Sequence, residues 1–594
     1  MDFKKNQYFL LLKQWCDALI DLQIKDNPNP AFCGGILCPC CTGMHGRIGD
    51  IMYPMVYLYS CTNDTKYYES ARLAYDWVTS NMKRPGGILI NDANSTWFGV
   101  TAFFNIQLGE LLYQLKDSIH KRDYQKWMAT YLETTDFIYN KMTNNLSWNI
   151  NYPVAVAPAM AIAYKITGDK KYEVKARAFA KETLSYICED GLLAGEGTPN
   201  NIITDRGFRP VDLGYNVEES LPSLVLYLTY IGEDQEVERE VIRSMAAHLS
   251  FMLPDGGWDN TWGTRTAKWT YWGSRTSDGC QIAYAGMADK NDAFFEAAHR
   301  NFELYKKCTI NGLLAGGIHH DDAQEPVCVH HSFCHIKGIL PMITLGRERK
   351  RGIKLPIEEA DGIRHFSSAN VTQLARGEFR ATVACSDYRF SPEPDAIPTG
   401  GAVTMLYHNL AGMILAGGQN EFRLVEPQNM QVPKYFENIC QLARIELIND
   451  KKKFTNTYDT LADIICTDEN GIICCTADGI LKNVDLNGKY RYKMIYTMAQ
   501  DAFIIQAKTE ADGASYILPV IAKSSEPVTI HKNKATVQKK NCVIHIECSQ
   551  LIFHDTARGD RIFNTCGGIN TAHLYTKMKK NSEVSFQITV VATS

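Results

Sequence analysis

The sequence predicts two structural parts: an N-terminal (α/α)6 toroid over residues 1–355, then a C-terminal antiparallel β-sandwich over 365–594. Three observations predict this. Amphipathic stretches repeat in pairs through the first 350 or so residues, a charged break follows at Arg347-Glu348-Arg349-Lys350-Arg351-Gly352, and period-two alternation takes over beyond it. A chain of 594 residues exceeds what one hydrophobic core supports.

The pairing is visible in the punctuation. Small polar turns end one stretch of each pair: Thr62-Asn63-Asp64, Thr167-Gly168-Asp169, Gly232-Glu233-Asp234 and Asp289-Lys290-Asn291. Glycine elbows end the other: Pro85-Gly86-Gly87, Asp190-Gly191-Leu192, Asp255-Gly256-Gly257 and Asn311-Gly312-Leu313, with a long gap around Asn145 that reads as a degenerate copy. Such self-similarity means stacked or ring-closed helical hairpins, and about six pairs closing on themselves make a toroid. The connecting loops then gather around one cleft, where function is to be sought.

Individual segments fit helices. Ile48, Ile51, Met52, Met55, Val56 and Tyr59 fall on one face, with Pro54 expected to kink it. Ala71, Ala74, Trp77 and Val78 form a second face before Pro85. Similar stripes run through 159–164, 221–230 and 282–287. Beyond the break, Val584, Phe586, Ile588 and Val590 alternate with Ser585, Gln587 and Thr589. Further strands are expected at Phe379–Cys385, Val403–Tyr407, Tyr490–Thr497 and Val543–Cys548, separated by Gly, Asn and Asp turns. Antiparallel sheets packed face to face are the natural solution.

Composition narrows the function classes. With 45% hydrophobic and 22% charged residues and a formal net charge of −4, the chain lacks the basic excess of a nucleic-acid binder. A few arginines in a cleft still suit an acidic sugar. No run of about 18 apolar residues exists to span a membrane. The apolar run Tyr8–Leu12 stops at Lys13 with no cleavage site after it, so a cytoplasmic location is expected if Met1 is the natural start, and a periplasmic one if a leader was removed. Nineteen cysteines, clustered at 33, 38, 40 and 41 and at 328 and 334, fit reduced thiols better than a secreted disulfide framework.

Four loops carry candidate chemistry. In Cys33–Arg47, His45 can accept a proton near neutral pH and Arg47 can grip a carboxylate; a helix-capping loop is the bland alternative. In Pro210–Ser220, Tyr215 and Asn216 sit where side chains reach a cleft, unless the tyrosine packs back on the barrel. Trp258, Trp262, Trp269 and Trp272 fall within 15 residues beside Tyr271 and Arg275, suiting either sugar stacking with a cation on an anionic group or an aromatic core. Finally, His319, His320, His330, His331 and His335 fall within 17 residues alongside Cys328 and Cys334. They serve proton transfer, or join Cys38, Cys40 and Cys41 around a structural zinc if closure brings the first and last pairs together.

Cys38–Arg47 with Asp50 and Pro54, the Gly214–Ser220 segment, His330-His331, and Thr399–His408 resemble uronate-cleaving polysaccharide lyases of the heparinase II/III and alginate-lyase type. Within that group the chain is most similar to family 27, which removes rhamnose from a rhamnosyl-glucuronate cap on arabinogalactan. The cysteine cluster departs from the heparinase members. The resemblance implies β-elimination at O4 of a uronate without a cofactor. Arg47 or Arg275, with Asn216, would neutralise the carboxylate; Tyr215 would protonate O4; His45, His331 or His330 would be the base. Trp262, Tyr271 and Trp272 would bind sugar. The expected partner is a uronate-containing glycan, with neither nucleic acid nor membrane. Two rivals stand beside this reading. One is a hydrolase on the same toroid, either an unsaturated-uronyl hydrolase or a thiolate–zinc arabinofuranosidase; the other is a non-catalytic glycan binder.

Overall fold

The computed structural model describes residues 5–92, 95–144, 146–388, 398–421, 431 and 440–593. Its helices alternate between two kinds. Inner helices are apolar all round: Val100–Gln114 is buried at every position from Val100 to Gly109, and Asn151–Thr167 is buried almost throughout from Asn151 to Ala163. A helix apolar on every side has to be surrounded by others. Outer helices bury one stripe only, as Thr65–Asn81 does through Tyr67, Ala71, Ala74, Tyr75 and Val78.

The small polar turns join inner to outer helices, and their last residue caps the outer one. Asp64, Asp169, Asp234 and Asn291 each accept a backbone N–H of the first turn. Asn63 and Gly168, at φ +57° and +74°, end the inner helices in the left-handed conformation. Pro54 does not fall inside one continuous α-helix spanning residues 48–59. It lies in the first turn of Met52–Thr62, where a missing N–H costs nothing, and the preceding Gly46–Ile51 segment is 3₁₀-helical. Asn145 lies outside the described residues.

Each glycine elbow is a tight turn after an outer helix, pressed on the next outer helix around the ring. At Gly256 (φ +91°) a Cβ would stand 2.3 Å from the carbonyl oxygen of Arg300, in Asp292–Lys307. At Gly312 (φ +77°) it would stand 2.7 Å from Ala18 Cβ, on the first helix, Gln7–Leu22. The last elbow therefore seats on the first helix. Trp15 Nε1 donating to Thr309 Oγ1 at 3.0 Å and the Tyr8 hydroxyl 2.9 Å from His299 Nδ1 complete the closure.

From Gly362 onward the chain is antiparallel β-structure. A meander of five strands (Gly362–Phe366, Val371–Arg376, Phe379–Ala384, Ala402–His408, Gly412–Ala416) lies beside a larger sheet, with a second apolar core built on Phe379, Ile445, Tyr496, Phe503, Leu518 and Phe586. The expected strands appear as Phe379–Ala384, Ala402–His408, Gly488–Met498, Cys542–Cys548 and Glu583–Ala592. Of the cysteines, Cys466 and Cys475 face each other across adjacent strands as a disulfide; the others described are free. The sandwich sits against the loop end of the toroid. Arg206 donates to Thr460 O and Ala462 O, Thr382 Oγ1 donates to Asp259, and His319 N donates to Gly568 O. Among the described residues no helix is long and apolar enough to cross a membrane.

The close approach at the elbows gives a paired test. Gly256→Ala adds a backbone clash to the left-handed penalty and should cost about 3 kcal/mol or more in denaturant unfolding. Gly86→Ala, at φ +81° with nothing within 4 Å, should cost about 1 kcal/mol. Equal losses would show that the elbows do not bear on the neighbouring helix.

Candidate active site

At the loop end of the toroid, an open cleft of about 360 Å³ is lined by Arg47, Trp97, Asn149, Tyr152, Tyr215, Glu219, Arg265 and Thr276, among others. Tyr215 is presented by an abrupt local structure. Asp212 accepts from Tyr215 N at 3.0 Å, closing a single helical turn, and a π-helical turn at Asn216–Ser220 follows before Leu221–Ile231 begins. Single π-turns recur at functional sites because the extra residue re-aims a side chain.

The Tyr215 hydroxyl is the most heavily supported oxygen in the cleft. Lys268 Nζ donates to it at 2.9 Å, Thr276 Oγ1 lies 2.7 Å away, and the Arg265 guanidinium stands 4.6 Å from the ring centroid. Two cations on one phenol stabilise negative charge on its oxygen. Arg47 lies beside this group with its charge already satisfied: it binds Asp50 and Asp278, and its Nη1 donates to Thr276 O at 3.1 Å. It braces the residue that touches Tyr215 while itself lining the cleft.

Glu219 in the cleft wall and Glu196 behind Arg265 are held in unusual states. Burial pushes Glu219 up to about 8, with Asp278 adding to the effect and Arg47 opposing it. Its Oε1 accepts from Asn151 Nδ2 at 2.9 Å, and its Oε2 has no hydrogen-bond partner. Burial likewise pushes Glu196 up to about 7, against the pull of Arg265 at 3.6 Å. The side-chain oxygen of Asn149 also lacks a partner. At the mouth, Trp97 is 38% exposed, and its Nε1 donates to the Tyr152 hydroxyl at 2.8 Å.

Of the expected site residues, the structure brings Tyr215 and Arg47 to this cleft and places the others elsewhere. Trp262 and Tyr271 are 1% exposed and Trp272 0%, so none has a face to offer a sugar. Trp262 packs on Phe251, Tyr271 donates to Asp255, and Trp272 donates to Ala315 O while standing edge-on to His331, His335 and Tyr305. Asn216 spends its amide on Leu193 O and lies 3.0 Å from His248 Nε2. His330 and His331 are fully buried, where desolvation holds both well below the usual imidazole range, and His331 Nδ1 lies 3.1 Å from Leu314 O. Arg275 donates to Cys328 Sγ at 2.7 Å. His45 lies 3.0 Å from Cys41 Sγ and against the His330 ring, 3.4 Å between centroids. No histidine lines the cleft among the described residues.

Sequence reasoning missed Lys268, Arg265, Trp97, Tyr152 and Asn149, and gave Glu219 no role. A signal existed for some of them. Trp97 follows the polar run Asn91–Thr96 just before an inner helix, the same position that singled out Tyr215. Arg265 and Lys268 lie within the tryptophan loop that drew attention for its aromatics.

Comparison with known proteins gives a consistent match. The ulvan lyase N-terminal domain model matches residues 12–356, and the ulvan lyase C-terminal domain model matches 363–591. A broad-specificity ulvan lyase of Formosa agariphila is 34% identical over 580 residues, covering 95% of this chain and 90% of that protein. Heparinase III superposes with a TM-score of 0.54 at 12% identity, over 91% of this chain and 76% of that one. Chondroitin AC lyase of Streptomyces coelicolor A3 gives 0.53 at 12% identity, over 99% and 83%. These solved structures share the fold, a helical toroid followed by an antiparallel β-domain.

The protonation state of Glu219 has a measurable consequence. A carboxyl raised in the folded state contributes stability that is present below its unfolded value and lost as pH rises toward about 8. Glu219→Gln removes that ionisation and keeps an acceptor for Asn151. Its melting temperature relative to wild type should therefore climb between pH 5 and pH 9, and a flat difference would show Glu219 ionised throughout.

Proposed function

The chain belongs to the ulvan lyase family, and from that premise we propose that it cleaves an acidic polysaccharide at O4 of a uronate by β-elimination, with Tyr215 as the proton-transferring residue. The observation that carries this is the Tyr215 hydroxyl held between Lys268 Nζ and Thr276 Oγ1 in an open, polar cleft.

A C5 proton beside a carboxylate is weakly acidic, and removing it builds a second negative charge on the same group unless donors neutralise the first. In this cleft the donors are the Glu219 carboxyl, protonated near neutral pH, and the Asn149 amide. Tyr215, its oxygen stabilised as an anion by Lys268 and Arg265, takes the C5 proton. The same oxygen then returns a proton to the departing O4, leaving a 4,5-unsaturated uronate. One oxygen can do both only where C5–H and C4–O lie on the same face of the ring. That arrangement holds for D-glucuronate and fails for its C5 epimer. Trp97, backed by Tyr152, supplies the exposed stacking surface at the mouth.

The match to a broad-specificity ulvan lyase makes ulvan the first substrate to try. The rhamnose-capped arabinogalactan implied by the family 27 resemblance is the finer alternative, since the domain matches support the lyase class and not that cap. Absorbance of the conjugated uronate, followed with both glycans and with the products separated, tests the proposal. Ulvan should yield absorbing oligosaccharides, whereas release of free rhamnose as the sole product would redirect the substrate reading to an end-acting enzyme. Tyr215→Phe should lower kcat by about 10²- to 10⁴-fold with little change in binding; full activity in that variant would overturn the assignment. Sugar release without the chromophore would mean hydrolysis. Trp97→Ala should raise KM about tenfold or more while leaving kcat near wild type, in keeping with the loss of a stacking face.

A further inference from the structure

Behind the cleft, three sulfurs that are far apart in sequence meet. Cys38, Cys41 and Cys328 have Sγ atoms all within 4.8 Å of one another, and Cys38 and Cys328 are 3.8 Å apart across 290 residues of chain. Tetrahedral thiolates bonded to zinc at about 2.3 Å have sulfur–sulfur edges of about 3.8 Å. Cys38, Cys41 and His45 follow the spacing C-x-x-C-x-x-x-H, and His45 Nε2 approaches Cys41 Sγ to 3.0 Å. The other ring nitrogen of His45, Nδ1, is buried without a hydrogen-bond partner, so Nε2 is the nitrogen that faces the sulfurs.

We propose that Cys38, Cys41 and Cys328 hold a structural zinc ion, with His45, 3.0 Å from Cys41 Sγ, turning in as the fourth ligand, and that the ion locks the first loop of the toroid to the start of its last inner helix, Val329–His335. The charges support a bound dication. Zn²⁺ with three thiolates and a neutral imidazole carries one net negative charge, and the Arg275 guanidinium, 2% exposed, donates to Cys328 Sγ at 2.7 Å to balance it. A buried cation on one lone thiol would be a costly arrangement; on a thiolate cluster it is the natural counter-ion. With His45 turned in, protein groups fill all four positions, which is the pattern of a structural site rather than a catalytic one. The proposal stands apart from the lyase reading, and it takes His45 out of acid–base chemistry.

Metal content decides it. Full-length protein made with zinc in the medium and purified with reductant and no chelator should contain one equivalent of zinc per chain by elemental mass spectrometry. Cys38→Ser and Cys41→Ser should lose at least tenfold of that content, whereas Cys40→Ser, in the same loop but outside the three-sulfur set, should keep it. Because a ligand variant can fail to fold, cobalt(II) loaded into the wild-type protein provides a second readout: thiolate-to-cobalt charge transfer with strong tetrahedral visible bands. Wild-type protein holding less than a tenth of an equivalent of zinc would overturn the proposal, as would a Cys38–Cys328 disulfide found by non-reducing peptide mapping. A cobalt spectrum lacking thiolate bands would do the same.

Discussion

Closure of the helical ring is the constraint on which the rest of the structure depends. An open row of helical hairpins leaves an apolar face at each end. Here the last elbow seats Gly312 on Ala18 of the first helix, as Gly256 seats on Asp292–Lys307 one step earlier. Close backbone approach, available only without a Cβ, sets the spacing between pairs. That spacing brings residues near 40 and 330 together and turns the loops of successive pairs toward a common cleft. The sandwich then covers the same end, through Arg206, Asp259 and His319.

The fold was legible because its signals are local and repeated. Asp64, Asp169, Asp234 and Asn291 each announce an outer helix by capping it, and the glycine elbows mark where each one ends. Strand alternation such as Val584 to Val590 needs no partner to be read. The site was legible only in part, because it depends on which way side chains point across elements far apart in sequence. Tyr215 and Trp272 are both aromatic residues next to a glycine, Gly214 and Gly273. One opens on the cleft while the other is sealed against Tyr305 and His335, and nothing in the local sequence separates them. Trp97, isolated and unremarked in sequence, is the indole that solvent reaches. The cysteine reading depended on closure: Cys38 and Cys41 stand as C-x-x-C, and the Cys328 sulfur joins them only once the ring closes.

The histidine cluster illustrates the same limit. Five histidines in 17 residues invite an acid–base reading, yet none of them lines the cleft. His335 Nε2 sits 3.2 Å from Glu218, which also accepts Ser274 N and Ser277 Oγ; His319 Nδ1 accepts Asn570 N across the domain junction. Enrichment of a titratable residue type measures composition, whereas catalysis requires access and a charge environment suited to the proton transfer.

The short segment Ser274–Asp278 is the wall between the cleft and the closure cluster, and its side chains divide between them. Thr276 faces the cleft, touching Tyr215 through its hydroxyl and Arg47 through its carbonyl. Arg275 faces away to Cys328, Ser277 to Glu218, and Asp278 joins Arg47 to Lys337. The chain leaves its short strand at Ser274 and turns through Arg275 and Thr276, which directs these two side chains to opposite sides, so one short stretch serves both environments. The position of the Tyr215 oxygen is thereby coupled to how the first and last hairpins meet, through Thr276 on one side and Arg275 on the other. A displacement of about 1 Å in a proton-transferring group is enough to cost two orders of magnitude in rate. If Tyr215 transfers the proton as proposed, packing at the ring closure bears on chemistry in the cleft, although no residue of the thiol cluster lines it.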